Sequence, residues 1–271
     1  MDQQRASALD AFRIDGKAAI VTGASQGIGA ATALAFADAG ADVVLTARTE
    51  SDLERVAAAV VDRGRRAVVV PGDVNDLDHV ARVVEAAVAE LGRIDVVVSN
   101  AGGARSRPFA DTRVDHLEAA FHFNVSVAFE LTRLALPQLL ESGEGAVVTI
   151  GSMAGVHASR GSLAHGLSKA ALTQLTRLMA ADLAPRVRVN AVAPGAVETA
   201  ALHGYVDEDV RAGMAARTRM RRNGTPEDIA LAVLYLVSPA SGWITGRLLE
   251  VDGNSPEDMV PKGIPDLVPG E

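Results

Sequence analysis

Short runs of apolar residues alternate along the chain with longer segments whose apolar positions recur every three or four residues. The runs are AAIVTG, DVVLTA, RAVVVPGD, IDVVVSNAG, GAVVTIGS, VRVNAVAPG and RLLEVDG. Each is bounded by Gly or polar residues and is apolar almost throughout, as a strand buried on both faces must be. Between them lie GIGAATALAFADAG, ESDLERVAAAVVDRG and NDLDHVARVVEAAVAELG, whose spacing predicts helices with one apolar face. One helix carries its own boundary signals: Asp76 puts an acid at its start, and Gly92 follows its last apolar turn. Seven strands in alternation with helices predict an α/β fold, a doubly wound, mostly parallel sheet flanked by helices. No linker divides residues 1–253. The segment 254–271, NSPEDMVPKGIPDLVPGE, reads as an extended tail packed on this or a neighbouring subunit.

Composition decides what the core is made of. Hydrophobic residues are 48% of the 271 but aromatics only 3%, so Ala, Val and Leu must fill the space between helices and sheet. A formal charge of -8 argues against a nucleic-acid partner, which needs a basic face to release counterions. The basic run RTRMRRN, Arg217 to Asn223, reads as a solvated helix end. The absence of cysteine excludes disulfides, thiolate zinc sites and cysteine nucleophiles, and agrees with a reducing cytosol. The start, MDQQRASALDAF, has no apolar signal core, and no run approaches the roughly 18 apolar residues of a membrane span. A cytoplasmic protein without a membrane partner is expected. The six histidines, at 79, 116, 122, 157, 165 and 203, form no His-x-x-x-His pair, and no metal site is expected.

In AAIVTGASQGIGAATALAFADAG an apolar strand runs through Gly23, Gly27 and Gly29 directly into a helix. Glycine there lets the backbone turn tightly and approach a pyrophosphate, which then meets the positive end of the helix. This Thr-Gly-x-x-x-Gly-x-Gly pattern resembles the signature of the short-chain dehydrogenase/reductase family, in particular its 3-oxoacyl reductase-like members. The likeness continues in order from about Lys17 to Gly253. It implies a Rossmann-type domain that binds a dinucleotide through Gly23, Ser25, Gln26, Gly27, Ile28 and Gly29. It assigns Asp73 and Val74, in the Gly-Asp-Val turn, to the adenine, and Asn100, Ala101 and Gly102 to the turn after the fourth strand. Pro194, Gly195, Val197 and Thr199, in PGAVET, would flank the nicotinamide. It also implies a homotetramer, assembled largely through the long helices carrying Asn124 and Lys169 and through the last helix and strand.

The second strand ends VVLTAR. An acid at this end bonds the 2′-hydroxyl of NAD, whereas arginine accommodates the 2′-phosphate of NADP. Ala47 is followed by Arg48 with no carboxylate to repel that phosphate. NADP(H) is the expected cofactor and NAD(H) the alternative, since Gln26 is not the basic residue that many NADP-using relatives carry in the glycine loop.

Hydride transfer between an alcohol and a nicotinamide needs a proton exchanger and a polar group on the carbonyl oxygen. The resembling family supplies these with Asn, Ser, Tyr and Lys. Asn124 in FNVSVAF, Ser152 in TIGSMAG and Lys169 in HGLSK match the asparagine, serine and lysine, while the tyrosine position holds His165. By the resemblance Ser152 orients the oxygen, Lys169 holds the nicotinamide ribose and Asn124 supports a water relay. His165 and Lys169 stand four residues apart, on one helix face. A nearby cation pulls a phenol, with a reference pKa of about 10, toward phenolate, but on an imidazole of about 6.5 it disfavours the charged form. His165 is therefore expected to be mostly neutral at pH 7, and, being shorter than tyrosine, to reach the substrate through a water. Three readings follow. His165 is an adapted proton exchanger, the site is impaired, or Ser152 and His165 act as nucleophile and base in a non-redox site. GSMAG lacks the Gly-x-Ser-x-Gly elbow, which weighs against the last.

The loops GGARSRPF, MAGVHASRGSL and ETAALHGYVDEDVRAGMAARTRM face the substrate in the resembling family. Their Arg105, Arg107, His157, Arg160 and His203 favour an acidic or carrier-linked carbonyl if they meet at the cleft, and ordinary solvation if they do not. Of the two tyrosines, Tyr205 reads as lid packing and Tyr235 as core. The expected substrate is a carbonyl or secondary alcohol of unspecified size.

Overall fold

The computed structural model describes residues 7–204 and 206–255. The first apolar run forms β1 (Ala18–Thr22), and the glycine turn leads into α1 (Gly27–Asp38). The alternation continues with β2 (Asp42–Ala47), α2 (Glu50–Val61), β3 (Ala67–Pro71), α3 (Leu77–Leu91) and β4 (Val96–Ser99). Then come α4 (Val114–Phe121), α5 (Val127–Glu141), β5 (Gly145–Ile150), α6 (Leu163–Leu183) and β6 (Val187–Pro194). The short α7 (Ala200–His203), α8 (Glu208–Arg217), α9 (Pro226–Val237) and β7 (Leu248–Val251) complete the described elements. The strands lie in the order β3-β2-β1-β4-β5-β6-β7, every neighbouring pair parallel. The order reverses between β1 and β4, so the loops leaving their carboxyl ends diverge to opposite faces and open a crevice for a ligand.

Alternate strand residues feed two cores. Val21, Leu45 and Val98 pack with Ala33 and Phe36 of α1 and Ile229 and Val233 of α9 on one face. Ile20, Val44, Val97 and Val147 pack with Val80 and Val83 of α3, Leu131 and Leu139 of α5 and Met179 of α6 on the other. Coverage of both faces is why the strands read as unbroken apolar runs rather than as alternation.

The helix ends follow their local chemistry. Asp76 caps α3, its carboxylate accepting from the Asp78 N–H at 3.0 Å, and Gly92 ends the helix with a left-handed φ of 78°. The basic run after α8 is exposed at its arginines but not inert. Arg222 pairs with Asp228 in the capping box of α9, and that bond, with the Thr225 N–H, holds the Asp228 carboxyl down to about 2. Asn223, at the end of the run, is buried and donates to Glu198 at 2.6 Å. Between α4 and α5 the helix widens into a π-helical turn, His122–Ser126, a distortion that proteins concentrate at functional sites.

Candidate active site

A groove of about 540 Å³ runs across the carboxyl ends of β1 to β6. Its floor is the glycine turn. Gly23 and Gly27 hold φ of 65° and 56°, where a side chain would be strained. Gly29 is buried in the first turn of α1, and a Cβ there would collide with the Gly23 carbonyl oxygen. Asn100 fastens this turn to the end of β4. Its Nδ2 donates to the Thr22 carbonyl at 2.8 Å, and the Thr22 hydroxyl oxygen accepts from the Asn100 and Ala101 N–H groups at 2.9 Å each. Gly27 and Ile28, whose N–H groups open α1, therefore line the groove.

Gly23, Ser25, Gln26, Gly27, Ile28, Arg48, Asp73, Val74, Asn100, Ala101, Gly102, Lys169, Pro194, Gly195 and Thr199 all line the groove. Gly29 and Asn124 lie behind its wall, and Val197 faces a neighbouring cleft instead. The structure adds Thr49, Asp52, Gly72, Asn75, Phe123 and Ile150. Asp52, in the first turn of α2, puts a carboxylate in the same groove as Arg48, and its Oδ1 accepts from Arg55 at 2.8 Å. A search of the strand terminus misses it, and only the helical turn from Glu50 onward signals it.

At the other end of the groove α6 presents His165 and Lys169 one turn apart. Lys169 is 4% exposed, and its Nζ donates to the Ile150 carbonyl at 2.7 Å. Burial lowers its pKa from 10.5 to about 8, because the ammonium has lost its water. Ser152 caps the turn Met153–Gly155, its Oγ accepting from the Ala154 N–H at 3.1 Å. That bond fixes the oxygen and leaves the hydroxyl hydrogen to donate.

Asn124 sits in the π-helical turn, 2% exposed. Its Oδ1 accepts from the Gly103 N–H at 2.8 Å, and its Nδ2 donates to the carbonyls of Ala120 at 2.8 Å and Gly103 at 3.0 Å and to the Ser168 hydroxyl at 3.1 Å. It braces the loop after β4 against α6. A Cβ on Gly102 would lie 2.6 Å from Asn124 Oδ1 and 2.9 Å from Lys169 Nζ, so glycine is what lets that loop close on both side chains.

A second cleft, of about 450 Å³, opens beside the groove. Ile28, Ser152, His165, Pro194, Gly195 and Thr199 line both, so the two spaces meet at the serine and the histidine. The remaining walls are largely apolar, with Ala104, Met153, Ala196, Val197, Leu202 and Met214. Of the cations marked for the substrate, His157 lines the cleft, but Arg105, Arg107, Arg160 and His203 do not. His203 instead meets the Glu198 carboxylate at 2.6 Å. Tyr205 lies outside the described residues. Tyr235 is half-buried against the core and Phe12, their ring centroids 6.1 Å apart.

A family model described as Enoyl-(Acyl carrier protein) reductase matches residues 23–253. An uncharacterized oxidoreductase of Mycobacterium tuberculosis (strain CDC 1551 / Oshkosh) is 47% identical over 261 residues, 96% of this chain and 99% of the relative. The 3-oxoacyl-[acyl-carrier-protein] reductase of Thermotoga maritima is 33% identical over 250 residues, 89% of this chain and 98% of the relative. Among solved structures, a 7α-hydroxysteroid dehydrogenase complexed with NADH and 7-oxo glycochenodeoxycholic acid superposes with a TM-score of 0.89 at 36% identity. That match covers 93% of this chain and 98% of the other. The chain accordingly belongs to the short-chain dehydrogenase/reductase family, as an NAD(P)-dependent oxidoreductase acting on CH–OH groups.

Proposed function

We propose that the protein interconverts a ketone and a secondary alcohol on a largely apolar, alicyclic skeleton, with NADP(H) as its preferred cofactor. One observation carries the reading: Ser152 and His165 stand where a glycine-floored groove meets an apolar cleft. The groove suits a dinucleotide because the Gly23–Gly29 turn excludes side chains and ends on the N–H groups of α1. Asp73 and Val74 would flank the adenine, and Asn100, Ala101, Gly102, Pro194, Gly195, Val197, Thr199 and Lys169 the nicotinamide half. When bound, the cofactor supplies or accepts the hydride.

The chain's own residues handle the oxygen and its proton. The Ser152 hydroxyl, its oxygen held by the Ala154 N–H, donates to the carbonyl oxygen and concentrates the developing charge there. His165 exchanges the proton with that oxygen, directly or through one water. Lys169, a buried ammonium, holds the ribose. Asn124, fully engaged in its bonds, positions the loop at Gly103 and the relay behind Lys169.

The cleft volume falls within the range of ligand pockets, its apolar walls favour a hydrocarbon skeleton over a charged one, and a related enzyme was solved with a 7-oxo bile acid. Arg48 supports NADP(H); Asp52, engaged by Arg55, is the feature that favours NAD(H). A panel of alicyclic and steroid ketones assayed with NADPH and NADH tests both points. Consumption of NADPH is expected, at a Kd roughly tenfold below that of NADH, and Arg48→Ala should erase the difference by removing a charge-assisted contact. A native preference for NADH would overturn the cofactor choice. The competing reading, a cofactor-binding homologue with little redox turnover, is favoured by the imidazole at the phenol's place, and binding without consumption across the panel would select it.

We also infer a cytoplasmic homotetramer. Phe121, Phe129, Leu167 and Leu178 on the helices around the site, and Trp243 at 101% exposure between α9 and β7, support burial against further copies. Sedimentation as a monomer would remove that inference. No helix among the described residues is long and apolar enough to cross a membrane.

A further inference from the structure

His79, the third residue of α3, is 2% exposed and lies outside the groove's lining. Its Nε2 is 2.8 Å from the hydroxyl of Thr46, itself fully buried near the end of β2. The ring packs against Gly72, where a Cβ would collide with its Cε1 and Nδ1. Thr46 directly precedes Ala47 and Arg48, and Gly72 directly precedes Asp73 and Val74; all of these but Thr46 line the groove. The β2–β3 ladder pairs Thr46 with Val70 and Ala47 with Pro71, and the Gly72 N–H extends it by donating to the Ala47 carbonyl at 2.9 Å.

We propose that His79 is a positioning residue for the adenosine half of the dinucleotide: bonded to Thr46 and packed against Gly72, it fixes where the Asp73–Val74 turn leaves the β2–β3 ladder. The inference rests on the reading of the groove as the dinucleotide site. The chemistry suits the task. Burial, and then the Arg82 cation, lower the imidazole's pKa from its ordinary value, so it serves as a neutral hydrogen-bonding spacer. Glycine at 72 is required by this packing, since its backbone must rest on the ring. Val, Leu or Ile at 79 would fill part of the space but leave the Thr46 hydroxyl buried without this partner, which loosens the contact. The groove's nicotinamide end, at Ser152, His165 and Lys169, is built on β5 and α6 and shares none of these contacts.

The test separates the two halves of the cofactor. Adenosine 2′,5′-bisphosphate probes one half, reduced nicotinamide mononucleotide the other, and NADPH the whole, each titrated against the native chain, His79→Leu and Thr46→Val. Thr46→Val removes the same bond from the opposite side while keeping the side chain's shape, and it decides the question alone if His79→Leu does not fold. Affinity for the bisphosphate and for NADPH is expected to fall roughly tenfold in both variants. The mononucleotide should bind as before, and kcat at saturating NADPH should stay within about twofold. His79→Gln, which keeps a polar group in reach of Thr46, should recover most of the loss. Unchanged binding of all three probes, or equal loss of both halves, would overturn the proposal. If the native chain binds neither NADPH nor the bisphosphate, the dinucleotide reading fails first, and the native control reveals it before any variant is compared.

Discussion

Replacing Lys169 with methionine is expected to lower turnover by about 10²–10³-fold and at the same time to raise the melting temperature at pH 7. The side chain is buried, and its pKa falls from 10.5 to about 8 on burial alone. That difference corresponds to an unfavourable contribution on the order of 3 kcal/mol wherever both states carry the proton. The sign follows from linkage. Between about 8 and 10.5 the unfolded chain holds this proton more firmly than the folded one, so stability contributed by Lys169 rises with pH across that window, and the full penalty is present below it. Methionine carries no charge to desolvate and has similar reach. It forfeits the charge-assisted hydrogen bond to the Ile150 carbonyl, worth about 2 kcal/mol. The net gain of about 1 kcal/mol amounts to a few degrees in a chain of this size. Calorimetry at pH 7 and pH 10 checks both parts: the variant should be the more stable at pH 7, and its advantage should shrink toward pH 10. A variant less stable than the native chain at pH 7 would contradict the burial argument. Loss of activity with gain of stability marks a group retained for chemistry at the expense of the fold.

Replacing His165 with alanine is expected to reduce kcat by about 10²–10⁴-fold, the usual worth of a positioned proton exchanger, while the Kd for NADPH stays unchanged. His165 lines both spaces, and its truncation enlarges the junction. Added imidazole should enter there and restore part of the turnover, whereas a histidine that only packed the helix would give no such rescue. Stopped-flow assays with and without imidazole decide between these outcomes. Ser152, held at its own cap by the Ala154 N–H, stays in place in this variant, so residual turnover reports what oxygen positioning alone achieves.

The strands and the glycine turn are legible in the sequence because each is forced by one local requirement. A strand covered on both faces must be apolar at consecutive positions, as Val96 to Val98 are, and a backbone that passes within contact of the Gly23 carbonyl admits no side chain at Gly29. The ends of α3 are legible for the same reason: Asp76 and Gly92 satisfy backbone groups one turn away. Asp52 is hidden because its place in the groove is created by the first turn of a helix and not by adjacency along a strand. The π-helical turn that carries Asn124 leaves no compositional trace, since His122 to Ser126 would serve in an ordinary helix. The cations of the substrate loops are misleading for a different reason. A loop fixes the position of an arginine's backbone, not the direction of its long side chain, and most of these do not line the cleft. His79 is indistinguishable in sequence from a solvated histidine until β2 and the turn after β3 close around it.

We propose that an imidazole at position 165 exchanges the proton that the resembling family gives to a phenol. The most direct measurement is the pH dependence of kcat/KM for ketone reduction by the native chain beside His165→Tyr, over the range in which both remain folded. Reduction needs the protonated exchanger, whose reference pKa is about 6.5 for imidazole and about 10 for phenol. The native chain is therefore expected to turn over, and to lose activity with rising pH at least about one unit below the tyrosine variant. Superimposable profiles, or turnover in the tyrosine variant alone, would contradict the claim.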